Sequence, residues 1–249
     1  TLGRVSMEGV VPLCRSFDTI GPIVKTVDDA GLLFSVITTN KPIDLEYRSI
    51  ERGRLAILKG TPLDDLQQKP ALAFEASVKA LSNFGFKIKE IEIDEVESAL
   101  ALSSLVYPSE AYAEWKDKIE AAPELMYGEI LQRFRGGKDV LASEYLKAMR
   151  DLEIFKKQYA MKCSDFDGVI LPTCPIMPPN LERLESDNDY YVSQNLMALR
   201  NTRIGNLMGI CSLTIPTNYN SCGLSIMALP NREEKLLRLG KAAEIAILK

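Results

Sequence analysis

The 249-residue sequence contains no histidine, and this absence excludes more chemistry than any other feature of its composition. A Ser-His-Asp triad or a Cys-His dyad cannot be assembled from the residues of this chain. A zinc site with histidine ligands is excluded for the same reason. Hydrolytic chemistry would need another general base, such as Lys, Asp or Glu.

Cysteine is also scarce and widely spaced. The five cysteines are odd in number and form no Cys-x-x-Cys pair, so we expect neither a zinc site nor a disulfide framework. Reduced thiols in a cytoplasmic protein are the simplest interpretation. We expect no metal and no other cofactor.

Long apolar runs and clusters of basic residues are absent as well. No stretch approaches the roughly 20 apolar residues that cross a bilayer, and no secretory leader is recognisable, so we expect no membrane contact. The net charge of −4 comes from well-mixed acidic and basic residues, which argues against nucleic-acid binding. The apolar content of 46% and the length suit a single α/β domain over residues 1–249.

Strand patterns predict a mixed β-sheet flanked by helices. An apolar run over 54–58 has the character of a buried strand, and 87–93 alternates polar with apolar residues. Two later strands, 212–216 and 223–228, are linked by the five-residue loop 218–222. A link of that length suits an antiparallel hairpin, because a parallel return needs a dozen residues or more.

Helix signals occur between these strands. Thr26 is a suitable N-cap for a helix, and 70–84 predicts an amphipathic helix with Leu72 on its inner face. The helical pattern that follows is expected to break near Pro108. Ser143 is expected to cap the longest helix.

Several segments stand in an order that carries a family resemblance. They are Gly3-Arg4-Val5-Ser6, Ser16-Phe17-Asp18-Thr19-Ile20-Gly21-Pro22, Phe166-Asp167-Gly168-Val169-Ile170-Leu171-Pro172-Thr173-Cys174-Pro175, the stretch from Asn201 to Pro216, and the strand and helix after it. Together they resemble the amidase-signature hydrolases, over roughly residues 1–40 and 165–249. Individually the segments are moderately specific, and their common order is the stronger argument.

The resemblance implies a carboxamide hydrolase that uses a Ser-cisSer-Lys mechanism. In that family a Gly/Ser-rich segment carries both serines and the lysine lies before it. This sequence contains no such segment, so the resemblance implies that the chain is the C-terminal part of an amidase and is inactive alone. A small-molecule amide is the implied substrate, its identity is not indicated, and a homo-oligomer is left open.

Two alternatives come from other classes of function. The parent protein could be the glutaminase subunit of a tRNA-dependent amidotransferase, which works bound to partners. It could also be a non-catalytic interaction module that reuses the fold. Release of ammonia without tRNA or partner subunits would favour the free amidase over the first alternative.

Asp18 and Thr19 are the first candidate substrate-binding residues. Turn chemistry alone explains them, because Asp and Thr bond their own backbone and the following Gly-Pro completes a turn. The resemblance places this loop near the catalytic centre. It implies that Asp18 orders backbone amides or binds a polar group of the substrate.

Thr173, Cys174 and Arg203 are the other candidates. The first two follow a buried strand, and ligand crevices often border strand ends, although Cys174 could equally be an inert buried thiol. Arg203 lies on a predicted helix, where arginine is more often solvated than bound to a substrate. The acidic residues Glu110, Glu114 and Asp117 recur at helical spacing and are expected to form a solvated face. We assign no catalytic residue to this chain.

Overall fold

The computed structural model of the protein describes residues 1–39, 41–45 and 53–248. Within these ranges five strands form one sheet. They are β1 (Arg54–Leu58), β2 (Lys87–Ile91), β3 (Gly168–Pro172), β4 (Cys211–Pro216) and β5 (Gly223–Ala228).

The strand order is β2-β1-β3-β5-β4, with parallel and antiparallel pairs in the same sheet. β1 is parallel to both of its neighbours, whereas β5 is antiparallel to β3 and to β4. The mixed sheet and the β4–β5 hairpin that the sequence predicts are therefore confirmed.

Eight α-helices are present in the described part of the chain. They are α1 (Val27–Ile37), α2 (Gln68–Phe84), α3 (Asp94–Ala121), α4 (Gly128–Arg135), α5 (Ala142–Cys163), α6 (Leu181–Ser186), α7 (Asn188–Met208) and α8 (Glu233–Leu248). Over the same residues, no helix combines the length and apolar character needed to span a membrane.

The helices cover both faces of the sheet and divide the core in two. Val169 and Leu171 of β3 face a cluster built with α3, α5 and α7, whereas Ile170 faces a second cluster built with α2 and α8. Side chains alternate along a strand, so a central strand that is covered on both faces must be apolar throughout. All five residues of β3 are buried.

Two helix boundaries follow the predicted signals. The Thr26 hydroxyl accepts a hydrogen bond from the Asp29 backbone N–H at 3.1 Å, so Thr26 caps α1 as expected. α2 ends at Gly85, whose φ of 118° is in the region that favours glycine.

The buried face of α2 differs from the prediction, because Leu72 is 44% exposed while Ala73 and Ser77 are buried. Leu81 is buried as predicted, and together with Phe74 it packs in the same cluster as Leu236 of α8.

Two predictions about the middle of the chain are wrong. α3 continues through Pro108, although an internal proline removes one backbone hydrogen bond. Ser143 does not cap α5, which begins one residue earlier; instead the Glu144 carboxylate accepts the Leu141 N–H at 2.9 Å. α3, with 28 residues, is longer than α5, with 22.

The bend after α4 depends on a very close backbone approach at Gly137. A β-carbon at this position would lie 2.1 Å from the Pro108 carbonyl oxygen. Backbone atoms cannot give way as a flexible side chain can, so Gly137 fixes the position of α4 against α3.

We predict that Gly137→Ala destabilises the protein by more than about 2 kcal/mol, because α3 and α4 must separate. The matched control is Gly128→Ala in α4, where an added β-carbon meets no atom within 4 Å. Chemical denaturation of both variants measures the effect. Equal stability of the two variants would contradict the close approach.

Candidate functional site

The loop over residues 12–18 is ordered by its own aspartate. The Asp18 carboxylate accepts the backbone N–H of Leu13 at 2.8 Å and that of Cys14 at 3.0 and 3.1 Å. Backbone groups of a loop need such partners because no ladder supplies them. Of the two predicted roles of Asp18, ordering backbone amides is the one that the geometry displays.

Helix α3 holds the same loop through its acidic residues. Glu110 accepts the Ser16 backbone N–H at 2.9 Å and the Tyr145 hydroxyl at 2.5 Å. Burial, followed by this bond to Glu110, raises the pKa of Tyr145 to about 12. Tyr145 therefore remains protonated and keeps donating at neutral pH.

Further contacts between the loop and α3 are more exposed to solvent. Glu114 accepts two bonds from Arg15, at 2.8 and 2.7 Å, and the Trp115 indole donates to the Pro12 carbonyl at 2.8 Å. The prediction that the acidic residues of α3 form a solvated face is therefore wrong for Glu110, whose side chain is half-buried. Glu114 is exposed as expected, although it pairs with Arg15. The contacts with Ser16 and Arg15 were missed because both residues lie almost a hundred positions away in sequence.

Helix α7 contacts the loop from the other side. Asn206 donates to the Phe17 carbonyl at 2.7 Å and accepts from the Tyr107 hydroxyl at 2.7 Å. The Phe17 and Tyr107 rings meet edge to face, with centroids 4.8 Å apart.

Burial raises the pKa of the Cys14 thiol in this loop to about 12, so this thiol is not a nucleophile at neutral pH.

The loop over residues 12–18 borders an open cleft of about 1710 Å³. Its other walls come from α1, α3, α4, α5, α7, α8 and β4. The segment that follows the loop presents apolar side chains, with Ile20 37%, Ile23 100% and Val24 38% exposed. Small-molecule sites usually enclose roughly 300–1,000 Å³, so the cleft is larger than a metabolite requires.

Two arginines in the cleft have no carboxylate partner among the residues that the structure describes. Arg133 of α4 donates from Nη1 to Asn195 at 2.7 Å, while its Nη2 is buried without a hydrogen-bond partner. Arg203 of α7 is half-buried and forms no ion pair with the described residues. Burial lowers the pKa of Arg203, and the like charge of Arg133 acts in the same direction. An anion is the chemical partner that this pair lacks.

The five predicted site residues separate into two groups. Thr19 and Arg203 line the cleft, and Asp18 lies in the loop that borders it. Thr173 and Cys174 lie outside the cleft at the end of β3, where the Thr173 hydroxyl is 2.8 Å from the Ser225 hydroxyl. Substrate binding by any of the five stays a prediction.

Sequence reasoning missed Arg133 and Glu110. Arg133 stands between Gln132 and Phe134 on an amphipathic helix, so nothing in the local sequence separates it from a solvated arginine. Glu110 belongs to an acidic stripe with a simpler interpretation. Over the described ranges, no cluster of three or more His, Cys, Asp or Glu side chains could hold a metal ion.

Known proteins match almost the whole chain. A family model described as Amidase matches residues 1–237. The 2-amino-5-chloromuconic acid deaminase of Comamonas testosteroni is 28% identical, over 99% of this chain and 55% of its own length. A glutamyl-tRNA(Gln) amidotransferase subunit of Sulfurisphaera tokodaii is 27% identical, over 95% of this chain and 59% of its own length.

A solved structure has the same fold. The crystal structure of an amidase superposes on 98% of this chain with a TM-score of 0.82 and 21% identity, and the match covers 56% of that chain. The chain thus spans little more than half the length of the relatives it matches.

We predict that Asp18→Ala lowers the free energy of unfolding by about 1–3 kcal/mol, because two backbone N–H groups lose a charged acceptor. Limited proteolysis should then cut the loop faster. Asp117→Ala removes an equal charge from the exposed face of α3 and should change stability by no more than about 0.5 kcal/mol. Identical denaturation curves for the two variants would contradict this role.

Proposed function

The chain belongs to the amidase family, and on that premise we propose that the longer protein containing it hydrolyses a carboxamide C–N bond. The resemblance supplies the mechanism: a serine attacks the carbonyl, a bridging serine relays the proton and a neutral lysine acts as base. Backbone amides would stabilise the oxyanion. Those groups belong to sequence outside residues 1–249, which contribute the sheet and the cleft wall.

The observation that carries this proposal is the size and lining of the cleft. A cleft of about 1710 Å³ that is bordered by exposed apolar side chains is better suited to be covered by another part of the polypeptide than to hold a metabolite alone. The matched relatives are almost twice as long as this chain. We propose that the remainder of the protein fills most of the cleft and leaves the substrate site beside the 12–18 loop.

The cleft arginines support an anionic substrate. Nη2 of Arg133 is already buried, so a substrate carboxylate would satisfy a group that now has no partner. The like charge of Arg203 nearby would be offset by the same anion. One relative is named as a deaminase of a muconic acid, which is itself an anion at neutral pH.

A second candidate is the glutaminase subunit of a tRNA-dependent amidotransferase. The amidotransferase relative from Sulfurisphaera tokodaii is 27% identical over 95% of this chain. Glutamine carries a carboxylate, so the arginine pair is compatible with this function too. Ammonia release from glutamine that depends on tRNA and partner subunits would establish it in place of the free amidase.

We propose that residues 1–249 form one α/β unit of the larger enzyme and that this enzyme acts in the cytoplasm on a small molecule. The free state of all five cysteines in the described chain supports a reducing compartment. The mixed surface charge supports a protein that does not bind nucleic acid, and a homo-oligomer remains open.

We predict that purified residues 1–249 turn over no amide, whereas the full-length protein does. Its rate should rise with pH through one titration, because a lysine base accepts a proton only when neutral. Chelators should have no effect. Turnover by residues 1–249 alone, or loss of activity on chelation that zinc restores, would contradict the mechanism.

We predict that Arg133→Gln and Arg203→Gln in the full-length protein each raise KM for an amide that bears a carboxylate by about tenfold or more. Matched pairs of increasing chain length, beginning with succinamate and butyramide, separate the effect of charge from that of size. KM for the neutral member of each pair should stay unchanged.

The control for the arginine variants is Arg135→Gln. Arg135 lies on the same helix but is paired with Glu120 at 2.6 Å. This variant should alter neither KM. Equal losses on charged and neutral amides with the Arg133 and Arg203 variants would show that the two arginines do not bind an anionic group.

A further inference from the structure

The five cysteines differ sharply in accessibility. Cys14, Cys163 and Cys211 are buried, with at most 3% exposure, whereas Cys174 and Cys222 are partly exposed. Burial raises the pKa of the Cys163 thiol to about 11. Burial also raises the pKa of the Cys211 thiol above its ordinary value. Thiolates are the reactive form of cysteine, so the three buried thiols are poorly reactive and only the other two face solution.

The strand register brings these two accessible cysteines together. In the antiparallel pair of β3 and β5, Pro172 lies opposite Leu224. The next step pairs Thr173 with Gly223, and the Thr173 N–H donates to the Gly223 carbonyl at 2.9 Å. Continued by one further step beyond the ends of both strands, this register would place Cys174 opposite Cys222.

In a regular antiparallel ladder, such a position has the geometry that a disulfide requires. Thr173 and Gly223 form a hydrogen-bonded pair, so the following position is a non-hydrogen-bonded one, where facing side chains come closest. Facing α-carbons there lie roughly 4.5 Å apart, and disulfides accept about 4.4–6.8 Å. Cross-strand Cβ separations of about 4.5 Å are also near the range that disulfides adopt.

Both cysteines are held by their neighbours. Cys222 donates its N–H to the Tyr219 carbonyl at 3.1 Å, and its own carbonyl accepts the Thr217 N–H at 3.1 Å. Next to Cys174, the Pro175 carbonyl accepts the Gln67 N–H at 2.9 Å. The two short segments therefore cannot drift apart freely.

The surroundings of Cys222 show that the two thiols influence each other. Burial raises the pKa of the Cys222 thiol, Lys69 lowers it, and Cys174 raises it. The Cys222 thiol also lies 3.8 Å from the Met177 sulfur. Cys222 thus contacts Met177 and lies near enough to Cys174 for the charge of one thiol to affect the other, outside the cleft.

We propose that Cys174 and Cys222 are a redox-active pair that forms a reversible intramolecular disulfide. One thiolate attacks a sulfur of a low-molecular-weight disulfide such as oxidised glutathione and releases one glutathione. The second cysteine thiolate attacks the resulting mixed disulfide and releases the other. Two protein thiols are oxidised, one glutathione disulfide is reduced, and two glutathione thiols carry the protons away.

The bond would connect the loop after β3 to the turn of the β4–β5 hairpin. Such a cross-link restricts the unfolded chain and fixes both loops at one edge of the sheet. In a reducing compartment the pair would rest as two thiols and close when the glutathione pool becomes oxidised. The inference does not depend on amide hydrolysis, because neither cysteine lines the cleft.

The test uses the full-length protein in glutathione buffers of graded oxidation. Peptide mapping by mass spectrometry should find one internal cross-link between Cys174 and Cys222. The oxidised protein should unfold roughly 5 °C or more above the reduced protein. Addition of a dithiol reductant should reverse both changes.

Three cysteine variants test whether the cross-link forms specifically between Cys174 and Cys222. Cys174→Ser and Cys222→Ser should each lose the thermal shift and retain one glutathione on the remaining cysteine. Cys163→Ala, which removes a buried thiol, should keep the cross-link. Unchanged thermal midpoints of the two serine variants under reducing conditions would show that both fold normally.

Three outcomes would overturn the proposal. One is a wild-type protein that carries stable glutathione on both cysteines, because the thiols would then be too far apart to react. Another is a cross-link that uses a different cysteine. The third is the absence of any oxidation at Cys174 and Cys222 under conditions that oxidise free glutathione completely.

Discussion

The loop over residues 12–18 depends on side chains for most of its backbone hydrogen bonds, and the candidate site depends on that loop. The Cys14 carbonyl accepts the Phe17 and Asp18 N–H groups within the loop. Asp18 satisfies two of the loop's other N–H groups, Glu110 satisfies a third, and Asn206 satisfies the Phe17 carbonyl. Backbone groups without partners cost about as much as a lost hydrogen bond, so these side chains allow an irregular segment to keep one conformation. Through them, one edge of the cleft is attached to α3 and α7.

The cleft beyond this loop combines a large apolar surface with two arginines that lack carboxylate partners in the described chain. An unsatisfied buried guanidinium nitrogen destabilises a protein, so its presence at Arg133 needs a compensating role. A bound anion supplies one, and a substrate carboxylate is the anion that the proposed enzyme would present. The close contact of Gly137 with Pro108 holds α4, and with it Arg133, at the right distance from α3.

Where prediction and structure differ, the deciding contact lies far away in sequence. Pro108 should end a helix on local grounds, but packing on both sides of α3 outweighs the loss of one hydrogen bond. Leu72 fits an inner face by periodicity, yet the face that is buried against the sheet and α8 is the neighbouring one that carries Phe74 and Leu81. Glu110 fits a solvated stripe, and it instead binds the Ser16 N–H of a loop almost a hundred residues away.

The sequence alone was sufficient for the α/β class, the buried central strand, the β4–β5 hairpin, the Thr26 cap and the family. These features rest on local signals: alternation along strands, short links, capping residues and motifs in a fixed order. Only the tertiary structure brought Arg133 near Arg203, Glu110 beside the Ser16 amide and Cys174 near Cys222. Each of these pairs joins segments separated by between 48 and 94 residues. Strand register and helix packing set such distances, and no local pattern encodes them.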